Sequence, residues 1–154
     1  MPLERQTMSA VLFADISGST KLYVDVGDDR AREIVARTLD TWAALTSSGG
    51  GEVIQVRGDG MLCMFPAVDG ALAAAVAMRD LPYQEPLSMH AGLHAGPVLR
   101  ESEQLYGDAV NVAARMADIA KKFEIVLTEG AHALLGDPTH WPLRLIRKVP
   151  VKGK

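Results

Sequence analysis

The chain reads as an α+β domain: a mainly antiparallel sheet with helices packed against it. Three observations predict this. Apolar residues at 31, 34, 35, 39, 42 and 45 recur at helical spacing, and residues 68–81 form an Ala-rich run between Pro66 and Pro82. Between these two helices lie two β-rich runs, 52–56 and 61–65, joined by Gly58-Asp59-Gly60. An Asp-Gly pair between such runs is a strong hairpin signal. Hairpins interleaved with helices suggest an antiparallel or mixed sheet with helices on one face, an α+β sandwich.

Taken in order, residues 9–14 are an apolar run and predict a buried strand, followed by a loop at 17–19. A helix runs from Asp29 and ends at the Gly-rich stretch 47–51. The hairpin and the Ala-rich helix follow; small side chains let that helix lie close to a sheet. Residues 87–94 predict a strand, with Gly96-Pro97 turning the chain. Asp108 is placed to cap a helix running to about Lys122, where Lys121 and Lys122 complement the C-terminal dipole. Short elements follow: a strand at 124–127, a helix at 131–135 and a last strand at 143–149.

At 154 residues and 48% hydrophobic content, the chain fits one domain spanning 1–154 with a real core. A net charge of −3 with scattered basic residues argues against a nucleic-acid surface. Cys63 is the only cysteine, which excludes a disulfide framework and a multi-cysteine zinc site; within an apolar strand it reads as a buried thiol. The N-terminus is polar and no apolar run is long enough to span a bilayer, so no membrane role is expected and a cytoplasmic location follows. The chain stops at Lys154 where a further strand could begin, and it reads as part of a longer protein, with room for a regulatory domain.

Three places carry chemistry. Asp15 ends the first strand and opens Ile16-Ser-Gly-Ser-Thr20. A lone Asp there is usually a helix cap, but Gly18, Ser19 and Thr20 offer backbone N–H groups at a helix start, where phosphate oxygens bind. An aspartyl-phosphate phosphatase would need a second carboxylate two residues on, and position 17 is Ser. Asp59, at the hairpin tip, would alone be a turn residue; two carboxylates at strand ends beside such a loop suit divalent metal held against a phosphate chain. Asn111 and Arg115 are four apart and share one helical face. A solvated polar pair is the usual explanation, yet Val112, Ala113 and Met116 mark the helix as largely packed.

Together, Phe13-Ala-Asp-Ile-Ser-Gly-Ser-Thr20, Gly58-Asp59-Gly60, Gly92-Leu-His-Ala-Gly-Pro97 and Tyr106-Gly-Asp-Ala-Val-Asn-Val-Ala-Ala-Arg-Met116 resemble the class III nucleotidyl cyclases, in family order and across most of the chain. The resemblance implies a ferredoxin-like βαββαβ sandwich and a site holding two Mg²⁺ or Mn²⁺ ions on Asp15, Asp59 and the carbonyl of Ile16. It implies that Asn111 orients the ribose, Arg115 stabilises the transferring α-phosphoryl group, and Lys152 binds phosphate. It also implies a head-to-tail homodimer, since the family takes the aspartates from one subunit and the Asn/Arg pair from the other.

The base-reading positions depart from the family. Where adenylate cyclases typically carry Lys and Asp (or Thr/Ser), this chain has Gln55 and Gln104, which a Gln amide's donor, acceptor and freedom to flip open to either purine. His90 stands where many relatives have an Arg that contacts phosphate; His94 reads as structural, and the segment between Pro97 and Tyr106 is short, which should shrink the arm that contacts a second subunit. The expected activity is ATP to cyclic AMP. GTP or a pyrimidine nucleotide, a silent nucleotide-binding or dimerisation module, and a phosphotransferase with a linear product stand as alternatives.

Overall fold

The computed structural model describes residues 6–143. Its strands are β1 (Gln6–Ser17), β2 (Glu52–Arg57), β3 (Gly60–Phe65), β4 (Ser88–Glu101), β5 (Gln104–Tyr106) and β6 (Ile125–Leu127). The helices are α1 (Ser19–Val26), α2 (Asp28–Ser48), α3 (Val68–Arg79), α4 (Asp108–Ile119) and α5 (Glu129–Ala133), followed by a 3₁₀ turn, Pro138–His140. The strand order is β2-β3-β1-β4-β5, with β6 also paired to β4. All pairings are antiparallel except β4 with β6. The expected βαββαβ sandwich is therefore present, with β5, α4 and β6 added after it.

β1 is the central strand, paired on one side with β3 and on the other with β4. Its side chains alternate between two cores, as a strand's period of two requires. Ala10, Leu12, Ala14 and Ile16 join Cys63, Phe65, Met89 and Leu93 against α2 and α3. Val11 packs with Ile54, Leu62 and Val98 against Ala109 and Ala113 of α4. Helices thus cover both faces of the sheet, not one as expected. Asp15 falls in the Val11 series, so it faces the α4 side.

Four local expectations change. An additional helix, α1, precedes the expected one, and Gly27, with φ +90°, lets the chain break between α1 and α2. α1 was not foreseen, because Leu22 is its only buried residue and eight positions carry little periodic signal. Gly96-Pro97 does not turn the chain: β4 continues through it, with Pro97 opposite Met8. Pairing with β6 ends at Leu93 and pairing with β5 begins at Leu99, so the proline sits on an unpaired stretch of edge, where its missing N–H costs no rung. Finally, Gly107 rather than Asp108 occupies the cap position of α4, and Asp108 opens the helix as a favourable charge in its first turn. The helix ends at Ile119, short of Lys121 and Lys122. The expected strand at 143–149 lies, beyond Leu143, outside the described residues, as does Lys152.

The larger core centres on Trp42, which is fully buried and donates from Nε1 to the Tyr83 hydroxyl at 3.0 Å. Cys63 is buried beside Thr46, and burial pushes its thiol up to about 11, so it is a neutral packing residue as expected. Replacing Trp42 by Ala should cost about 3–5 kcal/mol of unfolding free energy. Denaturant unfolding measures this; a loss under about 1 kcal/mol would show that the α2 packing is not as described.

Candidate functional site

Asp15 ends up half-buried on the α4 face, opposite Gly60 in the β1–β3 ladder. The hairpin loop is Gly58-Asp59, with Gly58 at φ +56° supplying the left-handed position; Gly60 is already the first residue of β3. Gly60 has a different duty. A Cβ there would lie 2.1 Å from Asp15 Oδ1, so the glycine leaves the carboxylate the place it occupies. The tip is tied to β1 by the Ile16 N–H, which donates to the Asp59 carbonyl at 2.8 Å. The Asp59 carboxylate accepts a short hydrogen bond from the Ser19 hydroxyl. Ser19 thereby joins the start of α1 to the hairpin. Gly18 precedes it at φ +89°, and no side chain caps α1.

Across β4, His90 reaches the same carboxylate. Its Nδ1 lies 2.8 Å from the Ala117 carbonyl, which can only accept, so Nδ1 carries the proton. Nε2 is left facing Asp15 Oδ2 at 3.9 Å. Burial raises the Asp15 pKa above its usual 3.8; His90 lowers it, while repulsion from Asp118 and Asp59 raises it further. Asp118 was not foreseen as part of this surroundings, although it follows Asn111 and Arg115 at i+7 and i+3 on one helical face.

That face is open. Asn111, Arg115 and Asp118 are all exposed along α4, whereas Val112, Ala113, Met116 and Ala117 are buried. α4 can lie this close to the sheet because Gly92 is beneath it: a Cβ there would stand 2.1 Å from the Ala117 nitrogen and 2.4 Å from the Ala113 carbonyl oxygen. The buried side of α4 is thus fixed to β4, and its Asn/Arg side points away from the chain's own core.

Asp15 also lines a cleft of about 160 Å³ with Phe13, Gln55, Arg57, Met61 and Leu62. Each end of the Gln55 amide has a partner there. Its Nε2 donates to the Glu103 carbonyl at 2.9 Å, and its Oε1 accepts from Arg57 Nη2 at 2.6 Å. Glu103 belongs to the tight turn between β4 and β5, one residue before the exposed Gln104. A second tie, Arg100 Nη1 to Glu52 Oε1 at 2.6 Å, joins the same arm to β2. Although β2 and β5 lie at opposite ends of the strand order, the sheet curls so that the arm meets β2 and brings the two Gln positions into one neighbourhood. His94 holds Thr128, the cap of α5, at 2.7 Å, in the structural role expected.

The donor set suits a divalent cation in one respect: a partly desolvated carboxylate, crowded by two others, has no Lys or Arg ion-pair partner among the described residues. Among the described residues, no three His, Cys, Asp or Glu side chains converge as a complete cage. Hard cations commonly take their remaining ligands from carbonyls, water and substrate phosphates.

The whole chain, residues 1–154, matches the model of the adenylate and guanylate cyclase catalytic domain. The chain belongs to this family. It is 29% identical over 136 residues to a putative adenylate cyclase 3 of Rhizobium meliloti, covering 83% of this chain and 23% of that protein. It is 31% identical over 127 residues to an adenylate cyclase of Streptomyces griseus, covering 80% of this chain and 31% of the relative. The fold superposes on the crystal structure of the guanylyl cyclase Cya2 with a TM-score of 0.81 at 21% identity, over 98% of this chain and 88% of that one. The chain therefore spans about a quarter to a third of the length of these curated cyclases. Among the described residues, no helix of this cyclase domain is long and apolar enough to cross a membrane.

The Asp15 environment makes a pH-dependent prediction. A carboxyl whose folded pKa is raised ionises less readily in the fold than in the unfolded chain. Its ionisation therefore removes stability as pH rises from the usual 3.8 through the raised value. Asp15→Asn should make the metal-free domain more stable than the parent at neutral pH. The advantage should vanish on acidification below the usual value, and Mn²⁺ should raise the melting temperature of the parent only. Thermal melts across pH check this; a variant less stable than the parent at neutral pH would contradict it.

Proposed function

We propose that this domain converts ATP to 3′,5′-cyclic AMP and pyrophosphate at composite sites of a head-to-tail homodimer. The observation that carries this reading is the division of the surface. Asp15 and Asp59 stand at one end of β1 and the hairpin, while Asn111 and Arg115 face outward on α4. A second copy would supply each carboxylate pair with an Asn/Arg pair and give two equivalent sites by symmetry. The family model, and relatives named as adenylate cyclases, support the reaction class and the choice of ATP.

Asp15, Asp59 and the Ile16 carbonyl would hold two divalent cations, Mg²⁺ or Mn²⁺, which when bound offset triphosphate charge and make the ribose 3′-hydroxyl easier to ionise. Ser19 holds Asp59 and the His90 ring faces Asp15, so both carboxylates are positioned before any ligand arrives. The N–H groups from Gly18 to Thr20 suit the phosphate chain. From the partner subunit, the Asn111 amide orients the ribose. There, the 3′-hydroxyl gives its proton to water and its oxygen bonds to the α-phosphorus as the bond to pyrophosphate breaks, while Arg115 donates to the charge that develops on the α-phosphoryl oxygens. Gln55 and Gln104 read the base, and Lys152 adds a phosphate contact. A cytoplasmic setting and a regulatory region elsewhere in the protein belong to the same proposal.

Incubation with Mn²⁺ and each of ATP, GTP, CTP and UTP, with products identified by mass, should yield cyclic AMP. Absence of every cyclic nucleotide from a dimeric preparation would overturn the reading. Asp15→Ala and Asn111→Ala should each lower activity by about 10²-fold or more. Mixed in equal amounts and allowed to exchange, they should recover about a quarter of parental activity, because half the dimers would hold one intact site. Verified mixed dimers without recovery would show that the sites are not shared.

A further inference from the structure

The Gln55 amide sits between two neighbours that each tolerate only one of its ends. The Glu103 main-chain carbonyl can only accept, and the Arg57 guanidinium can only donate. With Nε2 toward Glu103 at 2.9 Å and Oε1 toward Arg57 at 2.6 Å, both bonds form. Turned over, the amide would set oxygen against oxygen and N–H against N–H. It would lose two hydrogen bonds, one of them charge-assisted, and gain two repulsions. Gln55 and Arg57 are two residues apart on β2, so the strand's own period places them on one side, and both line the cleft that contains Asp15.

We infer that Arg57 is a specificity-determining positioning residue: it fixes the Gln55 amide in one orientation and so makes the cleft accept one purine edge. This rests on the cyclase reading above, in which Gln55 meets the base. A freely turning Gln offers donor or acceptor at either place and discriminates little. With its orientation fixed, one remaining N–H and one remaining lone pair have set positions. The wrong purine then leaves a group unpaired in the cleft, which is how hydrogen-bonding sites reject a near-isostere. Glu103 contributes through its main chain, so the turn between β4 and β5 acts as the other jaw. The short arm has a role beyond meeting a second subunit: it holds a reading residue of its own chain.

The test compares kcat/KM for ATP and GTP in the parent, Arg57→Ala and Arg57→Lys. Assaying both substrates on one preparation cancels any loss of folded protein. The ratio between the preferred and the rejected purine should fall about tenfold or more in Arg57→Ala and return largely in Arg57→Lys, which keeps a donor. An unchanged ratio in Arg57→Ala overturns the inference. A second readout needs no turnover. In ¹⁵N-labelled protein, the Gln55 side-chain amide should show protected, well-separated proton resonances that collapse toward free-amide positions in Arg57→Ala. Coincident spectra would overturn the fixed orientation. A parent that forms no cyclic product from any nucleotide would instead remove the cyclase reading, and the amide spectra would still decide whether Arg57 fixes Gln55.

Discussion

The contact on which the rest of this structure depends is the backbone of α4 lying directly on Gly92 of β4. No side chain separates the helix from the sheet at this point. That closeness lets the Ala117 carbonyl reach the His90 ring and brings the charge of Asp118 within influence of Asp15. With Val112, Ala113, Met116 and Ala117 committed inward, Asn111 and Arg115 can only face out. One glycine thus sets both the surroundings of the carboxylate and the direction of the pair that would complement it.

Asp15 shows how the fold keeps a group it does not favour. The carboxylate is partly desolvated, and among the described residues its ion-pair partner is an imidazole at 3.9 Å rather than a guanidinium. Gly60 clears the space it occupies, while Ser19 and the Ile16 N–H fix the hairpin beside it. Partial desolvation disfavours the ionised form of Asp15, yet its surroundings hold the group in place, as the proposed metal role would require. The cation that would relieve the crowding is also the one the proposed chemistry requires.

Much of the fold was legible because its signals are local. The Gly-Asp loop, the Ala-rich helix and the packed face of α4 each follow from residues a few positions apart, and the order of elements leads from them to the sandwich. What stayed hidden depends on contacts distant in sequence. Pro97 reads as a turn until β1 supplies its partner strand. Gly60 reads as the second half of an Asp-Gly turn until Asp15 is seen to fill the space a side chain would take. The Asn111/Arg115 face was visible in its spacing, but the approach of Asp118 and of the Ala117 carbonyl to the surroundings of Asp15 was not. Gln55 looked ambivalent because a free amide is; Arg57 beside it meets one end, and the arm, 48 residues later, meets the other.

The central claim is that one chain carries two halves of a site and needs a second copy to unite them. The direct measurement is a crystal structure of the domain with Mn²⁺ and a non-cyclisable ATP analogue lacking the 3′-hydroxyl, using anomalous scattering to locate the metal. The account predicts manganese on Asp15 and Asp59 of one protomer, with the ribose and α-phosphate of the same nucleotide against Asn111 and Arg115 of the other. Nucleotide and metal held wholly by one protomer, or manganese away from both aspartates, would contradict it.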